Sequence, residues 1–317
     1  MFDITKRETN IMKCIAITMV IIGHYQWWIN DIVPSFKSFA SCGVTIFLFL
    51  SGYGLTLSYY KNGLDKFFKK RFSKVLFPYI LVTLILVFIE YLFLNKRYNI
   101  ILLISTIIGI NPRSPIDPTM WFITYILICY ICFYFIFKHL KSNKLKIIAL
   151  LIFSLFSYFI LSKVFMQDVG IIYYSIQFSL GTVCALLNIN SNIYVNKKYI
   201  KSILFLICLI FFMITLNSWN ILYKITNCLS SLIITLIISK FINKLNIKCI
   251  EFIGSISYEL YLLESIFMRQ YKFIFNLLNN ALVAFIVYLT VIITLSIIIQ
   301  KIIHKISNIN KIYIQEF

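Results

Sequence analysis

The chain has 317 residues, of which 61% are hydrophobic and only 13% are charged, and its mean hydropathy is +0.89. These values exclude a water-soluble globular protein, because a surface in contact with water needs many more charged side chains. The formal net charge of +19 requires no nucleic acid partner, since basic loops in contact with anionic membrane lipids account for it. The composition therefore predicts an integral membrane protein.

Ten apolar segments follow one another along the chain. At 1.5 Å of rise per residue, each is long enough to cross a hydrocarbon layer of roughly 30 Å. No low-complexity tract or long polar linker separates them, which predicts an all-α, polytopic helix bundle and a single domain over residues 1–317. The predicted spans are 11–30, 38–60, 75–94, 119–137, 146–163, 170–188, 199–216, 221–239, 250–268 and 279–299.

The distribution of Lys and Arg predicts how these spans are oriented. With the N-terminus in the cytoplasm, 22 of the 30 basic residues fall in the alternate segments that face the cytoplasm. Basic loops are retained on that side of a membrane. We therefore expect both termini to be cytoplasmic, in a multi-pass protein of the plasma membrane. No small-residue cleavage site follows the first apolar segment, so we expect it to remain as a span.

Ionisable side chains are rare inside the predicted spans. His24 is the one histidine of three that falls in a span, and Glu90, Glu259 and Glu264 are acidic residues well inside one. Such a group costs several kcal/mol in hydrocarbon unless it faces a partner or water. These residues are therefore candidates for a functional site, although a histidine in a membrane can also be a structural hydrogen-bonding residue between helices.

The eight cysteines do not indicate a metal centre or a disulfide framework. They lie in or at the edges of the predicted spans, where a small polarizable side chain is ordinary. Cys129 and Cys132 form one C-x-x-C pair, but no second pair follows it. We therefore predict no metal site.

The stretch KCIAITMVIIGH joins Lys13 to His24 in the first span. Eleven helical residues return almost to the same face, about 16 Å further along the axis. Lys13 is then near the cytoplasmic surface and His24 is nearer the outer side. In the ninth span Ser257, Tyr261 and Glu264 share a face at i, i+4 and i+7, and the same count places Glu264 at about the depth of His24. The pattern predicts a site where an imidazole and a carboxylate meet.

Two further stretches have local explanations. In NPRSPIDPTMW, Asp117 is predicted to cap the fourth span and Pro118 to occupy its first helical position. The preceding apolar stretch IILLISTIIGI is too short to cross the membrane. In the second span Gly43, Phe47, Ser51 and Gly54 fall along one side. Small residues there favour close helix packing, with the approach of a slender ligand as the alternative.

Five motifs stand in order along the chain and together resemble one protein family. They are Lys13 and His24 with ten residues between them, GVTIFLFLSGYGL from Gly43, KKRFSKVLFPY with Arg71 and Lys74, MWFITYILICY, and IGSISYELYLLES. This ordered set resembles the acyltransferase 3 family of membrane-bound O-acyltransferases. Three positions depart from the family pattern: Lys13 stands where Arg is commoner, Thr45 where Asp is common, and Glu264 where a second His is common.

The resemblance implies transfer of an acyl group, usually acetyl, from cytoplasmic acyl-CoA to a sugar hydroxyl of a surface polysaccharide or its lipid-linked precursor. It implies that His24 is the general base, a role worth roughly 10² to 10⁴ in rate, and that Glu264 orients the imidazole. The remaining assignments are donor binding by Lys13, Arg71 and Lys74, and sugar binding by Trp121, Tyr261 and Ser257.

The same residues are also consistent with other functions. The basic stretch around Arg71 also has Phe68, Phe72 and Leu76 at i, i+4 and i+8, which is typical of an amphipathic helix in the headgroup region. For the whole protein, the alternatives are a proton-coupled transporter of a glycan or lipid precursor, in which His24 and Glu264 relay protons, and a scaffold without catalysis. No internal repeat or pair of interrupted helices supports the transporter.

Overall fold

The computed structural model describes the backbone of residues 4–29, 34–164, 174–190, 206–210, 212–214, 221–269 and 272–315. All regular secondary structure in these residues is helical, so the prediction of an all-α protein is confirmed. The α-helices are α1 (Lys6–Trp28), α2 (Ser38–Asn62), α3 (Phe67–Arg71), α4 (Phe77–Leu94), α5 (Ile100–Ile107), α6 (Trp121–His139), α7 (Asn143–Val164), α8 (Gln177–Asn190), α9 (Ile221–Leu245), α10 (Lys248–Ser255), α11 (Ser257–Arg269), α12 (Phe273–Leu277) and α13 (Ala281–Gln315). Among the described residues, the 3₁₀ segments Pro34–Lys37 and Pro118–Met120 lead into α2 and α6, and the π-helical segment Phe72–Leu76 joins α3 to α4.

Within the described residues, five helical segments are long and apolar enough to cross a membrane. They coincide with the second, third, fourth, eighth and tenth predicted spans. The count of ten is not confirmed. The predicted spans 170–188 and 199–216 lie partly outside the described residues, and the cytoplasmic orientation of the termini stays a prediction. The five segments are Ser38–Asn62, Phe67–Leu94, Pro118–His139, Ile225–Leu245 and Ala281–Ile306.

The helices group into two compact units, each built from two separate stretches of sequence. The first unit comprises Met1–Asp65 and Cys132–Ser257, and the second comprises Lys66–Ile131 and Tyr258–Phe317. The predicted site residues are divided between the units. Lys13 and His24 belong to the first unit, and Glu264 belongs to the second. The prediction of a single domain over the whole chain stays a prediction.

Glycines allow α2 to approach two other helices of the first unit closely. A Cβ atom on Gly43 would meet the carbonyl oxygen of Ala16 in α1, and one on Gly52 would meet that of Phe178 in α8. Only a residue without a side chain fits such contacts. The packing interpretation of the second-span glycines is therefore confirmed at Gly43. Gly54 is exposed, and among the described residues no atom lies within 4 Å of its Cβ position, so no such contact is seen there.

Tyrosine hydroxyls join helices of the second unit. Tyr79 of α4 donates a hydrogen bond of 2.6 Å to the carbonyl oxygen of Thr106 in α5. Tyr288 of α13 donates one of 2.9 Å to the carbonyl oxygen of Glu264 in α11. Because these main-chain oxygens are buried, each bond satisfies an acceptor that water does not reach. Helix α5 has eight residues, which confirms that the IILLISTIIGI stretch forms no spanning helix.

The ninth predicted span, 250–268, is not one continuous helix. Helix α10 ends at Ser255 and α11 begins at Ser257, so Ile256 interrupts the predicted segment. The backbone of Ile256 has φ −101° and ψ 10°, outside the α-helical region. Ser257, Tyr261 and Glu264 nevertheless all lie in α11, so their predicted spacing on one helix face is retained.

Candidate active site

Helix α1 carries two of the predicted site residues without interruption. Lys13 and His24 both lie between its ends at Lys6 and Trp28, so the predicted separation of about 16 Å on one face applies. Each side chain is partly exposed rather than sealed in the core. The helix begins with a capping box: the Thr5 hydroxyl accepts from the Glu8 N–H at 3.1 Å, and the Glu8 carboxylate accepts from the Thr5 N–H at 2.9 Å.

The imidazole of His24 is held by contacts at the far end of α1. Its ring stacks on that of Trp28, one turn further along, with the ring centroids 4.5 Å apart and the planes 29° from parallel. The neighbouring Gly23 lies against the backbone of Ala40 in α2. His24 thus sits where two helices approach closely, with one ring face covered and the side chain still partly accessible.

Polar contacts fix the other end of α1 to α10 and to the turn that precedes it. The Arg7 guanidinium forms an ion pair of 2.6 Å with Glu251 and also donates to the Asn246 side chain. A Cβ atom on Gly254 would overlap the carbonyl oxygen of Asn10. The ion pair of Arg7 and the close packing of Gly254 against Asn10 leave α1 little freedom to rotate about its axis. The helix face that carries Lys13 and His24 therefore has a fixed orientation relative to α10.

Three predicted site residues form a buried face of α11. Ser257 and Tyr261 are 3% and 4% exposed, and Glu264 is fully buried. The Tyr261 hydroxyl donates to the carbonyl oxygen of Thr119, and its ring meets that of Phe122 edge to face at 5.3 Å. Tyr261 therefore packs against the segment that leads into α6, which the spacing of residues on α11 alone does not predict.

A polar cluster in the second unit centres on Asp117. Its Oδ1 atom accepts hydrogen bonds from the Thr119 N–H at 2.8 Å, the Thr119 hydroxyl at 2.8 Å and the Ser265 hydroxyl at 2.7 Å. The first bond is the predicted helix cap, and Pro118 occupies the first position of the 3₁₀ segment as predicted. Glu264 directly precedes Ser265 on α11 and is fully buried. The cluster thus contains two acidic side chains, of which only Glu264 was expected at the site.

Arg71 and Lys74 lie on consecutive turns at the start of the third apolar segment. Arg71 ends α3, and its guanidinium carbon lies 6.0 Å from the ring centroid of Phe67 and 5.8 Å from that of Tyr130. Lys74 is exposed and lies in the π-helical segment Phe72–Leu76. Within the described residues no carboxylate forms an ion pair with Arg71, and its buried Nε atom has no hydrogen-bond partner.

The comparisons with known proteins decide the family. The family model described as an acyltransferase domain matches residues 7–301, which is nearly the whole chain. The chain belongs to the acyltransferase 3 family. Searches of curated proteins and of solved structures gave no significant match. With its apolar helices, the family assignment makes this protein a membrane acyltransferase.

The acyltransferase brings together some of its predicted site residues and leaves others apart. Lys13 and His24 share α1, and Tyr261 and Glu264 share the buried face of α11. Trp121 is the first residue of α6 and is partly exposed, with its ring edge to face against Phe122 at 6.3 Å. The pairing of His24 with Glu264 joins residues of different units and stays a prediction.

The sequence of the acyltransferase does not indicate the tertiary contact that Asp117 makes. Its position before Pro118 and Thr119 accounts for a cap, and nothing nearby in the sequence indicates Ser265 as a further donor. The contact between Asp117 and Ser265 joins residues 148 positions apart in the sequence. Only the fold shows that this carboxylate is buried and accepts a hydrogen bond from α11.

Proposed function

We propose that this membrane acyltransferase moves an acyl group, acetyl in the first instance, from cytoplasmic acyl-CoA to a sugar hydroxyl. The acceptor is a cell-surface polysaccharide or its lipid-linked precursor, and the enzyme lies in the plasma membrane with a cytoplasmic N-terminus. One observation carries the proposal: in a chain of this family, the uninterrupted helix α1 holds a cation, Lys13, and a partly accessible imidazole, His24, on one face.

The chemistry requires a base, because a sugar hydroxyl has a pKa far above neutrality and attacks a thioester slowly without help. In the proposed step a ring nitrogen of His24 takes the hydroxyl proton as the oxygen attacks the thioester carbonyl. The new C–O bond forms, the C–S bond breaks, and the departing thiolate recovers the proton from the imidazolium. Imidazole suits both halves of this cycle because its ordinary pKa lies near neutrality.

A carboxylate improves such a base when it accepts a hydrogen bond from the second ring nitrogen. We assign this orienting role to Glu264, which is fully buried on α11. Lys13, which is partly exposed and predicted to lie nearer the cytoplasm than His24, is assigned to the anionic donor. Ser257, Tyr261 and Trp121 are assigned to the sugar.

The surroundings of Arg71 support a role in binding the phosphates of the donor. Aromatic rings rather than carboxylates hold its guanidinium, so the positive charge is not neutralised by a neighbouring acid in the described residues. A guanidinium presents several N–H donors in a plane and binds phosphate oxygens in pairs. Exposed Lys69 and Lys74 add positive potential near it.

Replacing Arg71 by alanine is expected to raise the KM for acetyl-CoA roughly 10-fold to 100-fold, since a charge-assisted hydrogen bond contributes about 1.5–3 kcal/mol. Initial rates of the purified enzyme at varied acetyl-CoA concentration measure this. Lys69→Ala is the matched control because Lys69 is exposed on the same short helix, and we expect its KM to change less than about fivefold. Equal KM values for the two variants would remove Arg71 from the donor site.

The proposed function is tested with membrane vesicles that contain the enzyme and acetyl-CoA labelled with ¹⁴C in the acetyl group. We expect label to enter the glycan fraction as an ester that mild alkali releases, and only in vesicles that contain the enzyme. Longer acyl-CoA thioesters added as competitors identify the preferred acyl group. Vesicles that leave all label in acetyl-CoA, although they contain folded enzyme and the host glycans, would contradict the proposal.

A further inference from the structure

The two oxygens of the Asp117 carboxylate have different surroundings. Asp117 is 1% exposed. Its Oδ1 atom accepts three hydrogen bonds, from the N–H and hydroxyl of Thr119 and from the Ser265 hydroxyl. Among the described residues no donor lies within hydrogen-bond distance of its Oδ2 atom. Oδ1 alone therefore caps the helix and accepts the hydrogen bond from Ser265. Oδ2 takes part in neither interaction.

A buried carboxylate oxygen without a donor is costly. The great majority of buried side-chain polar atoms in native proteins have a partner in the protein or in ordered water, and an unmade bond costs the desolvation of the group. Glu90 in the same unit illustrates the usual arrangement, because the Lys96 ammonium donates to one of its oxygens at 3.1 Å and the Tyr98 hydroxyl donates to the other. The Oδ2 atom of Asp117, in contrast, accepts no hydrogen bond from the described part of the chain.

The residues around Asp117 differ in exposure. Arg113 and Pro118 are exposed, whereas Ile116 and Asp117 are buried. Asp117 ends the segment between α5 and α6, which the charge distribution predicts to lie on the outer side of the membrane. The segment that carries this carboxylate is therefore predicted to face the side from which a surface acceptor approaches.

The neighbours of Asp117 indicate what kind of molecule binds there. The side chains around it that form hydrogen bonds are the hydroxyls of Thr119, Ser265 and Tyr261. Within the described residues no three His, Cys, Asp or Glu side chains are grouped to hold a metal ion, and hard cations require several oxygen ligands. A hydroxyl group needs only one acceptor, and a carboxylate is among the strongest.

We propose that Oδ2 of Asp117 accepts a hydrogen bond from a hydroxyl of the acceptor sugar, so that Asp117 is an acceptor-binding residue as well as a helix cap. This inference rests on the proposed function, since it takes the acceptor to be a carbohydrate. A carboxylate that reads a substrate hydroxyl discriminates strongly against molecules that lack it, because the buried acceptor is then left without a donor. Asp117 is thereby a determinant of acceptor specificity.

The test uses the full-length enzyme in detergent, ¹⁴C-labelled acetyl-CoA, and the lipid-linked glycan fraction extracted from the host cells. Asp117→Asn keeps the shape and the Oδ1 cap but places an amide NH₂ group at the position of Oδ2, and this group cannot accept a hydrogen bond from a hydroxyl. We expect kcat/KM for the glycan to fall roughly 10-fold to 100-fold, while the KM for acetyl-CoA stays within about twofold. Glu90→Gln is the matched control, a buried carboxylate whose two oxygens already have donors, and we expect both constants to be retained.

The outcomes separate this inference from the proposed function. If the wild-type enzyme transfers no label to glycan, the proposed function fails. If the wild type is active and Asp117→Asn retains its kcat/KM for glycan, a water molecule or nothing binds Oδ2, and the inference is overturned. Equal losses toward glycan and acetyl-CoA also overturn it. Asp117→Ser, which keeps a capping hydroxyl, serves as the second variant, and failure of both variants to fold would show that Asp117 is structural only.

Discussion

Replacing His24 by alanine is expected to lower the rate of acyl transfer by roughly 10² to 10⁴, the usual contribution of a general base. The reason is that no other imidazole lies inside a predicted span, since His139 and His304 fall in basic segments predicted to be cytoplasmic. The fall should appear in kcat, with the KM for acetyl-CoA nearly unchanged, because a base acts on the attacking hydroxyl rather than on the bound donor. Initial rates of labelled acetyl transfer to glycan measure both constants.

His139→Ala is the matched control for this experiment. His139 is also a histidine near the end of a long helix, and its ring stacks on Phe135 at 6.2 Å as that of His24 stacks on Trp28. We expect its variant to transfer acyl groups at the wild-type rate. A His24→Ala enzyme that is folded and as fast as His139→Ala would show that the imidazole is a structural group between helices.

Replacing Gly52 by alanine is expected to destabilise the first unit by about 1–3 kcal/mol or more, the usual cost of overpacking. The added methyl group would overlap the carbonyl oxygen of Phe178 in α8 and lie 2.9 Å from the Thr182 hydroxyl oxygen. Because a main-chain oxygen cannot move without shifting its helix, α2 and α8 have to separate. The midpoint of thermal unfolding in detergent, followed by tryptophan fluorescence, measures the effect.

Gly54→Ala is the control, two residues along the same helix. No atom of the described residues lies within 4 Å of its Cβ position, so an added methyl group contacts none of them. Alanine favours a helix over glycine by up to about 1 kcal/mol, and we expect the midpoint to stay the same or to rise. If the two variants unfold at the same temperature, the close contact between α2 and α8 at Gly52 does not contribute to the stability of the first unit.

Local features of this fold could be predicted from the sequence because their causes lie within a few residues. The hydropathy of 38–60 predicts α2, and Asp117 followed by Pro118 predicts the helix cap. The position of Lys13 and His24 on one helix follows from an apolar stretch without a proline. In each case the free energy that decides the structure comes from neighbours in the sequence or from the membrane itself.

Features that depend on distant contacts were not predicted. The interruption at Ile256 divides an apolar segment that contains no proline, and Gly254 beside it packs against Asn10 of α1. The sequence also does not distinguish the two glycines of the second span. Gly43 packs against α1, whereas Gly54 is exposed. The hydrogen bond from Ser265 to Asp117 likewise depends on tertiary packing, because it joins residues 148 positions apart in the sequence.

Mass spectrometry of surface glycans from cells that lack the gene shows whether this enzyme and its imidazole are required for acylation. The cells are complemented with the wild-type chain or with His24→Ala, at equal levels of membrane protein. We expect acyl esters on the glycan in cells with the wild-type chain, and none in cells with His24→Ala or with no complementing gene. Identical acylation in all three strains would contradict this expectation.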